Sequence, residues 1–189
     1  MAKVKFGLKN CYYAKATIGS DGTATYGTPV RLPGAVSLTL DPSGSPTNFF
    51  ADDSVYYSVA GAAGYSGSLE IAMIPDSFRE DCLGEVKDEK VYFETANGAA
   101  SPFALLFEFQ SDENAIKHVL YNVTASRPSV NGNTKNDTVE VKTDTLNITA
   151  ASVYNADLQK DIVKARCADD TAAAYSTWYS SVYQPVVSA

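Results

Sequence analysis

Histidine is almost missing from this chain: His118 is the only one in 189 residues. A metal centre built on several imidazoles is thereby excluded, and a lone histidine inside a strand-like run, AIKHVLYN, reads as a structural residue. Cysteine is scarce too. Cys11, Cys82 and Cys167 are odd in number, far apart and without a CxxC pair, which argues against a disulfide framework. They are expected to act as small buried hydrophobes in a reducing compartment. No apolar run nears the roughly 20 residues that cross a bilayer as a helix, so no membrane partner is expected. The opening MAKVKFGLKN has no apolar stretch of the kind a secretion signal needs, and a cytoplasmic birthplace is expected.

Catalytic signatures are absent as well. There is no Gly-x-Ser-x-Gly, no P-loop, and no Gly-x-Gly-x-x-Gly after a strand. Asp52-Asp53 and Asp169-Asp170 are adjacent carboxylates, but neighbours on a strand point to opposite faces and make poor acid–base pairs. They suit turns or helix caps. Glu108, Asp112 and Glu113 do not have calcium-loop spacing. The expectation is a protein that is not an enzyme and carries no cofactor or metal. Positive charge is also in deficit: 15 basic residues face 22 acidic ones, for a formal net charge of −7. Without a Lys/Arg cluster, specific nucleic-acid binding is not expected.

What the chain does have is aromatic and β-forming residues: twelve Tyr and eight Phe against two Met and one Trp. Aromatics and β-branched residues pack well on pleated surfaces, so a mainly β fold is expected. At this length one well-cored domain over 1–189 is the natural organisation. Val4, Phe6 and Leu8 alternate with lysines and predict a strand with one buried face. Asp21-Gly22 has hairpin-turn chemistry before TATYG. Val36, Leu38 and Leu40 predict another strand, ending at Asp41-Pro42. Residues 41–63 then read as a long loop around Phe49, Phe50, Tyr56 and Tyr57, serving either as a functional surface or as a small core of its own. Further strands are predicted at Lys90–Thr95, Phe103–Phe109, Ala115–Ala125, Thr138–Thr143 and Leu146–Val153, with a polar loop over 129–138. Tyr175, Trp178, Tyr179 and Val182 fall on one helical face after a possible Asp170 cap, followed by an extended tail from about 185. Eight to ten strands with one or two helices predict a β-sandwich or barrel of two antiparallel sheets.

The stretch YSGSLEIAMIPDSFREDCLG, Tyr65–Gly84, reads as a complete strand-to-helix unit. Ser68–Ile74 is β-rich, Pro75 stops it, and Gly84 is a ready helix stop. Between them a short helix is expected at about 76–83, packed on the sheet through Phe78, Cys82 and Leu83. Together with GLKNCYYA, YGTPVRLPGAVSLTL, FFADDSVYY, HVLYN, ASRP and WYSSVYQP, in order from residue 7 to 185, it resembles the major tail protein, or tail-tube protein, family of long-tailed, non-contractile bacteriophages.

That resemblance implies a tail-tube-type β-sandwich or barrel with a flanking helix. It also implies hexameric rings that stack into the tail tube of the virion, the conduit for genome ejection, assembled in the host cytoplasm. The implied partners are further copies of the chain, the tape-measure, tail-tip and tail-terminator proteins, and genomic DNA in passage. Charge is segregated in a way that suits stacking: residues 1–40 carry five bases and one acid, and residues 75–94 seven acids and three bases. Phe49, Phe50, Tyr56 and Tyr57 are the expected subunit-interface anchors. Glu70, Glu85, Asp88 and Glu89 are the expected lumen acids, which would repel phosphate. Two alternatives are a carbohydrate-binding β-sandwich, in which surface Tyr and Trp stack on sugars, and another virion part on a related fold, such as a capsid decoration or tail terminator protein.

Overall fold

The computed structural model describes residues 3–44, 47–59, 64–130, 132 and 142–186. Among them the first strand, β1 (Lys5–Ile18), turns at Asp21-Gly22 into β2 (Ala24–Tyr26), and β3 (Val30–Arg31) follows. Next come β4 (Ala35–Ser43), the hairpin β5 (Thr47–Ala51) and β6 (Ser54–Val59), and β7 (Gly64–Ile71). A helical turn α1 (Asp76–Phe78) leads into a π turn at Arg79–Leu83 and a second hairpin, β8 (Val86–Asp88) and β9 (Val91–Phe93). The rest of the sheet is β10 (Phe103–Ser111), β11 (Ile116–Ala125) and β12 (Asp144–Ala151). Short strands β13 (Val153–Asn155), β14 (Lys160–Ile162) and β15 (Lys164–Cys167) precede α2 (Ala173–Thr177).

The mainly β expectation holds. Nine strands form one antiparallel sheet in the order β2-β1-β10-β11-β12-β7-β4, with β3 added on β1 and β15 on β11. Three two-stranded sheets, β5-β6, β8-β9 and β13-β14, stand beside it. The large sheet curls, so that β4 returns beside β1 with no ladder between them. The strands outnumber the eight to ten expected because hairpins and partner switches cut the chain into pieces of two to four residues. β11 shows this directly: its first half pairs with β15 and its second half with β12.

Both faces of the central strands are covered. Phe103, Leu105 and Phe107 of β10 enter one apolar cluster, with Leu69, Ile71, Phe78 and Cys82. Ala104 and Leu106 point the other way, into a cluster with Val119, Tyr121, Val153 and Trp178. A strand buried on both sides has no polar alternation, which is why FALLF reads as a continuous apolar run.

The strand-to-helix unit forms as its sequence dictates. Pro75 at φ −65° and ψ 145° ends the extended chain, Phe78, Cys82 and Leu83 are buried, and Gly84 takes the left-handed conformation at φ 75°. Phe78 packs edge-on against Tyr13 and Phe103 at 5.0 and 5.2 Å. Burial pushes the Cys11 and Cys82 thiols up to about 12, with the Glu108 and Asp81 charges adding to it, so both stay protonated.

Other expectations are corrected. The alternation at Val4, Phe6 and Leu8 does not make a buried face: Val4 and Phe6 are more than half exposed. Gly7 and Asn10, at φ 57° and 48°, sit at register shifts in β1, and each bulge resets which residues face the core. Residues 41–63 are not a structureless loop. β4 runs on through Pro42 to Ser43, and a β-hairpin follows; residues 45–46 and 60–63 are outside the described set. The expected strand at Thr138–Thr143 and the loop at 129–138 fall mostly outside it too, and Lys142 and Thr143 are not in a strand. The C-terminal helix is a short one: Trp178 and Val182 are buried, but α2 ends at Thr177. Its flanking polar residue is Asp169, not Asp170, accepting from the Thr171 N–H at 2.9 Å and hydroxyl at 2.7 Å.

Candidate assembly surface

The β5–β6 hairpin is an arm. It springs from the paired ends of β4 and β7, where Ser43 faces Gly64, and among the described residues its two strands pair only with each other. Asp52 and Asp53, at φ 51° and 57°, form the two-residue turn; both central residues in the left-handed region make the tight hairpin that Asp tolerates. Phe49 lies opposite Tyr57 and Phe50 opposite Val55, with Tyr56 accommodated at the register shift between these pairs. Phe49, Phe50, Tyr56 and Tyr57 are between 61% and 74% exposed, and Val55 is exposed with them. The four aromatics anticipated from sequence are therefore brought onto one arm. A lone two-stranded ribbon is marginal in water, and this one has apolar side chains uncovered on both faces.

Beside the base of the arm the curled sheet leaves a cleft of about 340 Å³, lined by residues of β1, β4, β7, β10, β11 and β15. Its floor is aromatic: His118 stacks on Phe107 at 5.1 Å and 10°, and Phe109 meets His118 edge-on at 5.6 Å. Two lysines stand over it, Lys5 at 5.0 Å from the Phe109 ring and Lys164 at 4.4 Å from the Tyr65 ring. Among the described residues no carboxylate lines the cleft and neither lysine is ion-paired. Burial and then the charges of Lys164, Lys5 and Arg166 lower the His118 pKa to about 4, leaving the ring neutral at pH 7. Sequence reading found none of this cleft, because its residues lie far apart in the chain and none of them departs locally from an ordinary strand pattern.

The four acids occupy different settings. Glu70, on β7 opposite Ser37 of β4, accepts hydrogen bonds from Thr143 Oγ1 at 2.6 Å and Ser37 Oγ at 2.9 Å. These bonds hold its pKa below the usual carboxylate value. Asp88 and Glu89 are exposed at the β8–β9 turn, where Glu89 has φ 51°. Glu85 is buried and paired with Arg79 at 3.0 Å, so its charge is spent within the fold. The β8–β9 hairpin also exposes Val86, Val91 and Phe93, a second small apolar patch that sequence reading passed over.

A further polar contact fixes the C-terminal segment to the sheet. Glu108 is buried, accepting from Asn10 Nδ2 at 2.7 Å and from the Tyr179 hydroxyl at 2.9 Å. Tyr179 stacks on Tyr12 at 4.6 Å, and Trp178 Nε1 donates to the His118 carbonyl at 3.3 Å. Among the described residues no group of three or more His, Cys, Asp or Glu side chains could hold a metal ion, and no helix is long and apolar enough to cross a membrane.

Fold and surface together define a mainly β protein whose prominent features, among the described residues, are exposed apolar and charged surfaces. The chain belongs to the phage tail tube protein family, whose model matches residues 1–187. It is a structural component of the virion tail, a major tail protein. No curated protein matches it.

Proposed function

We propose that the chain, folded as one domain over 1–189, is the repeating subunit of a tail tube of the long, non-contractile type. Its copies form hexameric rings, the rings stack, and the genome leaves through the central channel. Family membership supports the tube, and the β5–β6 arm is the observation that carries self-assembly. Among the described residues its aromatics stay more than half exposed, and burying them on another copy would remove several hundred Å² of apolar surface from water. Among the described residues β4 has no ladder partner beyond β7, and that edge is a second surface that a ring would protect. Rings that stack head to tail grow into a filament, as a tube requires. Assembly takes place in the host cytoplasm, with tape-measure, tail-tip and tail-terminator proteins setting start, length and end. The role is structural and not enzymatic.

A hexamer carries a formal charge of −42, six times −7. Acids on the channel wall would keep DNA phosphates from sticking; exposed Asp88 and Glu89 could serve there, and so could Glu70, whose charge its hydroxyl partners leave in place. Glu85, neutralised by Arg79, contributes less to such a field.

Negative-stain electron microscopy of the purified protein across concentrations, beside sizing chromatography, tests the reading. Hollow tubes or rings of uniform width are expected. The double variant Phe49→Ser/Phe50→Ser should remain a folded monomer and form none. Tubes at normal yield from that variant would remove the arm from the assembly surface. A wild-type protein that instead bound glycans as a monomer would return the carbohydrate-binding alternative.

A further inference from the structure

We propose that the tip of the β5–β6 arm of one copy seats in the Lys5–Lys164 cleft of another, the aromatics on the cleft floor and the aspartates against the lysines. This rests on the self-assembly proposed above and names the two surfaces that meet.

The two are complementary in charge and in chemistry. The arm ends in Asp52 and Asp53 with no base between Thr47 and Val59, and among the described residues neither aspartate is ion-paired. The cleft presents Lys5 and Lys164 with no carboxylate, and Arg166 stands close enough to depress His118. Beside the aspartates the arm carries Phe49 and Phe50, and behind the lysines the cleft carries Phe107, Phe109 and the neutral ring of His118. A cavity of about 340 Å³ has room for one or two aromatic side chains carried at the end of a narrow hairpin. Its cations stand exposed on the rim above an apolar floor, which suits an acidic-aromatic peptide turn better than a free anion, for which enclosed donors are needed. The other exposed hairpin, β8–β9, is a poorer occupant because Lys87 and Lys90 flank Asp88 and Glu89. The arm does not fill the cleft of its own chain, since its aromatics are solvent-exposed. The occupant is therefore the arm of a second copy.

Charge reversal on each side separates the possibilities. Lys5→Glu/Lys164→Glu and Asp52→Lys/Asp53→Lys should each lower tube yield at least tenfold while leaving circular dichroism unchanged, and the quadruple variant should recover most of it. Wild-type yield from either double variant would overturn the docking while leaving the tube itself in place, and so would a quadruple variant that recovers nothing. An independent measurement does not need tubes. Chains bearing Asp53→Cys are mixed with chains bearing Lys164→Cys, both in a Cys167→Ser background, and oxidised. A disulfide-linked dimer that forms only on mixing is expected; its absence at concentrations where wild-type copies associate, or at the highest attainable concentration, would also overturn the docking.

Discussion

At the scale of single residues the lone histidine is informative. Its sequence context points to a structural role, and its packing, stacked on Phe107 and edge-on to Phe109, agrees with that reading. What sequence did not disclose is the set of cations around it, Lys5, Lys164 and Arg166, which come from other strands. With a pKa of about 4 in the folded chain against 6.5 when exposed, His118 binds a proton more readily in the unfolded state between those values. Its contribution to stability is complete above about pH 6.5 and is lost as pH falls toward 4. Partial exposure moderates the effect to about 1–2 kcal/mol between pH 7 and pH 5. Urea unfolding midpoints at the two pH values should therefore fall further for the wild type than for His118→Phe. Equal falls would mean that the ring is not held neutral by its surroundings.

At the scale of elements, legibility followed how local the cause was. Pro75, Gly84 and the apolar Phe78, Cys82 and Leu83 act within one short segment, and that unit is readable. The arm is not. Pro42, Gly44 and Pro46 look like loop residues, yet Pro42 is accommodated within β4 because β4 is an edge strand, where a missing N–H need not interrupt a ladder. β1 was misread for a related reason, since bulges change facing and alternation alone does not reveal them. Next to the edge, β7 is a central strand pressed closely between β4 and β12, and Gly67 marks that closeness. A Cβ there would collide with the Thr39 carbonyl oxygen, which belongs to backbone and has little room to move. Gly67→Ala should cost about 3 kcal/mol or more by forcing β4 off the ladder, a melting-temperature drop of roughly 6–12 °C. Thermal unfolding followed by circular dichroism checks this; a drop under about 2 °C would mean that the β4–β7 pair separates freely.

At the scale of the whole molecule, family membership was legible because many ordinary segments occur in a fixed order, while the cleft was illegible because six strands must curl together to make it. The lumen acids belong to this scale as well, since which surface lines a channel is a property of the ring. Exposed Asp88 and Glu89 and half-exposed Glu70 are available to face DNA, whereas Arg79 holds Glu85 inside the fold. Replacing Asp88 and Glu89 by lysine changes each copy by +4, from −7 to −3, and a hexamer from −42 to −18. If these positions face the channel, phosphates would meet cations where they had met carboxylates, and each contact would release counterions with a salt dependence near one logarithmic unit per phosphate neutralised. Assembled Asp88→Lys/Glu89→Lys tubes should then hold short duplex DNA at low salt, protect it from nuclease, and release it as salt rises, while wild-type tubes hold none. Nuclease protection separates the inside of the tube from the outside: DNA that binds but stays cleavable would place this hairpin on the outer surface. DNA that does not bind at all would mean that neither side chain is near its path, and the repulsive wall would have to be built from Glu70 and acids elsewhere in the ring.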